Sequence, residues 1–99
     1  MKSPFIIVFD DIADKANIAI LVEVITSNFV SKKAKENLFI IVSEDKKTKE
    51  VFELVKSKIN FSASIIVIEL NSFYGNFFDI GTANWIKETF PIMNLSIKL

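Results

Sequence analysis

The stretch Phe29-Val30-Ser31-Lys32-Lys33-Ala34-Lys35-Glu36-Asn37 decides the fold. It lies between two elements that are easily read. Upstream, Lys15 to about Asn28 carries Ile18, Leu21, Val22, Ile25 and Phe29 at the spacing of one helical face, with Ile20 and Val24 as a second apolar flank. Downstream, Leu38-Phe39-Ile40-Ile41-Val42 is a short apolar run of the kind a buried strand uses. Helix-to-strand links in α/β units usually take about 2–6 residues, and this one takes about nine. The extra length fits a further strand from about Phe29 to Lys33, turning at Glu36-Asn37 into Leu38.

The other elements follow from composition and period. Phe5-Ile6-Ile7-Val8-Phe9 is a first strand that ends in Asp10-Asp11, and Asp14 is placed to cap the first helix. Ser43-Glu44-Asp45 offers caps for a second helix from about Lys46 to Ile59, with Thr48, Val51, Phe52, Val55 and Ile59 inside. Ser64 to Leu70 is a third apolar strand, and Asn71 to Asp79 reads as an aromatic loop. A short helix from Thr82 to Thr89 is stopped by Pro91, and the tail Asn94 to Leu99 alternates like a half-buried strand.

Without a strand in the Phe29–Asn37 link, the order would be a doubly wound parallel sheet. With it, the order is βαββαβ. That predicts an α+β, ferredoxin-like sandwich with an additional short C-terminal helix and strand, as a single domain over residues 1–99. Helices then cover one sheet face, yet the strands are apolar throughout. A second copy of the sheet is the simplest cover for the other face, so a homodimer is expected. The tail Leu95-Ser96-Ile97-Lys98-Leu99 is suited to add a strand to a partner's sheet edge.

Composition excludes much chemistry. The chain has 99 residues, with twelve lysines against twelve Asp plus Glu, and it lacks Arg, His and Cys. This removes thiol nucleophiles, imidazole bases, disulfides and the usual zinc ligand sets. Without Arg, no guanidinium fork reads a guanine edge, and balanced charge argues against a strong non-specific grip on nucleic acid. No apolar run approaches the roughly 20 residues that span a bilayer. The N-terminus shows no signal-peptide pattern, so a cytoplasmic protein without a membrane partner is expected.

Further residues carry a resemblance. Phe9-Asp10 closes the first strand, and Ile65-Ile66-Val67-Ile68-Glu69-Leu70 is followed by Phe77-Phe78-Asp79-Ile80-Gly81 and Trp85-Ile86-Lys87-Glu88. In element order the chain resembles the small CRISPR adaptation nucleases, the ferredoxin-like dimeric subunit of the spacer-integration complex. It resembles more closely their short stand-alone SinR-family relatives and more distantly the VapD-type ribonuclease toxins. The resemblance implies that Asp10, one from each subunit, lines a metal site at the dimer axis. Asp10 would then be both catalytic residue and Mg2+ ligand. A carboxylate-held Mg2+ can activate a water against a phosphodiester.

The expected function is therefore that of a small dimeric nucleic-acid-related protein with RNA or DNA as its partner, in its catalytic form a weak metal-dependent endoribonuclease. The alternative is a catalytically silent dimeric scaffold or protein-interaction module, in which Asp10 and Asp11 only shape the turn. A receiver-like regulatory domain is a third reading of the Asp10-Asp11 pair, but Leu38–Val42 ends in Ser43-Glu44-Asp45 without the aspartate such a domain needs. Two Asp10 carboxylates facing across a two-fold favour the nuclease. An Asp10 folded into its own turn favours the scaffold. The lysines 32, 33, 35, 46, 47 and 49 are interleaved with acids and read as a solvated face. Phe73, Tyr74, Phe77 and Phe78 suit base stacking or a packed seam.

Overall fold

The computed structural model describes residues 3–70, 73–76, 84–85, 88–89 and 95–98. Its order is β1 (Ser3–Asp10), α1 (Lys15–Asn28), β2 (Val30–Lys35), β3 (Leu38–Ser43), α2 (Thr48–Ser57) and β4 (Ser64–Glu69), followed by β5 (Phe73–Asn76) and β6 (Leu95–Lys98). The first four strands form one antiparallel sheet in the order β2-β3-β1-β4. The link after α1 does contain a strand, as its length predicts. Val30 pairs with Val42 and Lys32 with Ile40, and residues 36–37 make the turn. Every pairing in this sheet being antiparallel rules out the doubly wound alternative. The architecture is α+β, four antiparallel strands with two helices, compatible with a small ferredoxin-like fold.

Local chemistry sets the helix ends. The Asp14 carboxylate accepts from the Ala16 N–H at 2.8 Å, satisfying an orphan donor of α1. At the other end Phe29 is already extended, although its N–H still donates to the Ile25 carbonyl at 3.1 Å. The chain therefore leaves the helix directly into β2. The second helix starts later than its sequence suggests. Ser43 is the last residue of β3, and the cap position is Lys47 rather than any of Ser43, Glu44 or Asp45. Glu50 supplies the compensating contact, its carboxylate accepting from the Lys47 N–H at 3.0 Å.

Strand alternation sorts the sheet into two faces. Phe5, Ile7 and Phe9 of β1 and Phe39 and Ile41 of β3 meet Leu21, Val24 and Ile25 of α1 and Val51 and Val55 of α2. Phe9 and Phe39 stack with ring centroids 6.2 Å apart. Burial of each such side chain is worth roughly 1.5–3 kcal/mol, and this cluster is what holds the helices on the sheet. The opposite face carries Pro4, Ile6 and Val8, then Leu38, Ile40 and Val42, then Ile66 and Ile68, aligned row by row through Ile40↔Ile6↔Ile68 and Leu38↔Val8↔Ile66. This face is apolar as expected, but it is not bare across its width. Pro4, Val42 and Ile40 are buried within the single chain, Ile40 to 1% exposure. Ile6, Val8 and Leu38 are half-buried, and exposure is greatest at the margins: Val30 on β2 at 65%, and Ile66 and Ile68 on β4 at 55% and 47%.

The C-terminal readings are partly corrected. The aromatic stretch read as a loop contains β5, and β5 pairs in parallel with β6. The tail does form a strand, but its partner lies in the same chain. Of the predicted helix from Thr82 to Thr89, residues 84–85 and 88–89 are helical, and the rest falls outside the described residues.

Candidate functional site

Asp10 closes β1, a strand flanked on both sides in the sheet. Its cross-strand partner is Ser64, the first residue of β4. On the other side the Phe9 N–H donates to the Asn37 carbonyl at 3.0 Å, which ties the β2–β3 turn to this end of the sheet. The topology therefore gathers Asp10, Asp11, Ser64, Asn37 and the exposed Lys35 and Glu36 of that turn at one sheet end. Sequence reading found the two aspartates. It missed Ser64 and the turn residues, because their proximity to Asp10 depends on the register of two strand pairings.

Asp10 is exposed, and so is Asp11. By alternation with Ile6 and Val8, Asp10 stands on the sheet face without helices. One carboxylate oxygen, Oδ1, accepts from the Asp11 N–H at 2.8 Å. Asp11 has φ of 60°, the left-handed region that aspartate tolerates better than most residues. The pair thus makes the sharp exit from β1. Asp10 closes the turn by accepting, Asp11 takes the unfavourable backbone angle, and three residues later Asp14 caps α1. Of the two arrangements set out above, this bond matches the carboxylate folded into its own turn.

Such a site can do limited chemistry alone. An exposed carboxylate with one oxygen engaged has a second oxygen to offer Mg2+, which normally retains several waters and takes one or two carboxylates. Among the described residues, no group of three or more Asp or Glu side chains is placed to hold a metal ion.

Three of the lysines read from the sequence as a solvated face are partnered by neighbouring acids. Lys33 pairs with Glu36 at 3.0 Å, Lys46 with Asp45 at 3.5 Å and Lys49 with Glu53 at 3.8 Å. The first and last are exposed pairs worth little individually. An open depression is lined by Asn28, Phe29, Val30, Val42, Ser43 and Asp45 among others. It sits at the Ser3↔Ser43 end of the sheet, the end opposite Asp10. No described helix is long and apolar enough to cross a membrane. No protein family, no curated protein and no solved structure matches this chain.

Proposed function

We propose that this chain is a catalytically silent homodimeric scaffold, an assembly partner of the nucleic-acid-related kind to which its resemblance to CRISPR adaptation nucleases points, built as a ferredoxin-like βαββαβ sandwich with an extra C-terminal helix and strand. The observation that carries the reading is the exposed apolar margin formed by Ile66 and Ile68 on an outer strand of the sheet. Two large side chains half in water, side by side on one strand, mark an interaction surface more than scattered exposure does. The Asp10 carboxylate, engaged by the Asp11 N–H, fits a turn-forming role in such a scaffold.

The second reading is a Mg2+-dependent endoribonuclease in which Asp10 from each of two subunits shares a metal. What favours it is that Asp10 is exposed and stands on the apolar face, where a face-to-face dimer would bring two copies together. One experiment separates the readings. Light scattering at micromolar concentration reports the dimer, and cleavage of RNA and DNA is followed with Mg2+, Mn2+ and chelator for wild type and Asp10→Ala. The scaffold predicts a dimer without metal-dependent cleavage. Cleavage that is lost in Asp10→Ala would replace it with the nuclease, and a stable monomer would remove both.

A further inference from the structure

We infer that the outer edge of β4 is the dimer seam, and that it pairs antiparallel with β4 of a second copy about a two-fold through Val67. This rests on the homodimer reading above and specifies where and in what register the two copies meet.

The two outer strands of the sheet are treated differently by the sequence. β2 reads Val30-Ser31-Lys32-Lys33-Ala34-Lys35, and its pairing with β3 slips between Lys33 and Lys35. Lysines and a register irregularity are the usual means of keeping an outer strand from recruiting another. β4 reads Ser64-Ile65-Ile66-Val67-Ile68-Glu69, with no lysine, no proline and no irregularity in its pairing with β1. Among the described residues, nothing pairs with it on its outer side. A β-branched strand left open in this way is a template for another strand.

The pairing with β1 fixes which backbone groups face outward. The Leu70 N–H donates to the Pro4 carbonyl at 2.9 Å, so the even-numbered positions of β4 turn their backbone toward β1. Ile65, Val67 and Glu69 therefore turn their N–H and C=O groups to the outer edge. An antiparallel partner centred on Val67 pairs Val67 with the partner's Val67, and Ile65 with the partner's Glu69. That register engages every one of these groups. It also sets Ile66 directly opposite the partner's Ile68, twice, on the face where both are exposed.

The same register explains why the occupant is a second copy. Ile66-Val67-Ile68 reads identically in both directions, so the strand is its own complement. The two Glu69 side chains end up about 13 Å apart along the strands, beyond the roughly 8–10 Å Debye length. A parallel in-register stack would instead put Glu69 on Glu69. Pairing with β2 of another copy would set isoleucines against Lys32, Lys33 and Lys35. Because β2 is guarded and β4 is not, association closes at two copies rather than growing into a fibre.

The absence of cysteine makes the register directly testable. Ile66→Cys and Ile68→Cys are prepared as separate single variants. Facing positions whose backbones turn away from each other have Cα atoms about 4.5 Å apart, inside the range a disulfide spans. Mild oxidation of the mixture is expected to give a cross-linked dimer, and of either variant alone far less. Val67→Pro tests the backbone bond. Proline is accepted where a strand's N–H points away from its own sheet, so the fold is retained, checked by circular dichroism, while light scattering shifts to monomer. Equal cross-linking of each single variant with itself, or none in the mixture, overturns the register. A Val67→Pro protein that stays dimeric overturns the seam while leaving the homodimer standing. A monomeric wild type overturns both.

Discussion

Ile40→Ala compared with Ile41→Ala tests the finding that the middle of β3 is covered on both faces within one chain. The two residues are neighbours on β3 and point to opposite faces. Ile41 belongs to the cluster under the helices and is 0% exposed, and Ile40 on the other face is 1% exposed. Truncation to alanine removes three carbon groups, about 2.4 kcal/mol at roughly 0.8 kcal/mol each. Incomplete collapse of the void adds to this, so each variant is expected to lose about 3–4 kcal/mol, within the 2–5 seen for such changes. At roughly 4–8 °C per kcal/mol for a domain of this size, the melting temperature falls by about 12–30 °C. The assay is urea unfolding at two protein concentrations, tenfold apart. Equal losses, with the difference between variants independent of concentration, are expected. If Ile40→Ala costs less than about 1 kcal/mol while Ile41→Ala costs the full amount, the outer face is open in the monomer. If the Ile40 cost grows with protein concentration, its cover comes from a second copy.

Three further outcomes follow from local geometry. Asp14→Ala removes the acceptor held by the Ala16 N–H and should cost about 1 kcal/mol in denaturant unfolding, with Asp14→Asn retaining most of it. Asp11→Val forces a β-branched residue to φ of 60° and should cost about 1–2 kcal/mol, whereas Asp11→Gly should lie near wild type; equal stability of the two would contradict the left-handed turn. Lys33→Ala breaks only an exposed pair with Glu36 and should move stability by no more than about 0.5 kcal/mol, a change that thermal unfolding at low and high salt can bound.

How far the sequence could be read divides along physical lines. The strand within Phe29–Asn37 was legible because loop length is a hard geometric constraint, and the Glu36-Asn37 turn sits where that strand must reverse. The span of α1 was legible because its apolar spacing and the Asp14 cap agree. The start of α2 was not. Ser43 and Asp45 are good capping residues, but β3 extends through Ser43, and pairing with Ser3 outweighs the local preference. The strand β5 was hidden for a related reason. Phe73-Tyr74-Gly75-Asn76 has no alternation to announce it, and its pairing partner is some twenty residues away. At the site, Asp10 could be picked out as the end of a buried run. Its proximity to Ser64 and Asn37 could not, because that depends on register rather than on neighbours in sequence.

The assembly and the chemistry of Asp10 are not independent. Asp10 lies opposite Ser64, three residues from the Val67 row, on the strand inside β4. In a dimer joined at β4 about Val67, the two Asp10 residues are separated by six residue steps along the strands, about 20 Å, and by three strand spacings, about 14 Å. That places them about 25 Å apart, whereas two carboxylates on one Mg2+ must each bring an oxygen to about 2.1 Å from it. A β4 seam and a metal shared between Asp10 side chains therefore exclude one another. The disulfide experiment thus reads the chemistry as well as the interface. A cross-link between positions 66 and 68 leaves each Asp10 alone with its own Asp11 N–H, and the shared-metal nuclease loses the second ligand that it requires.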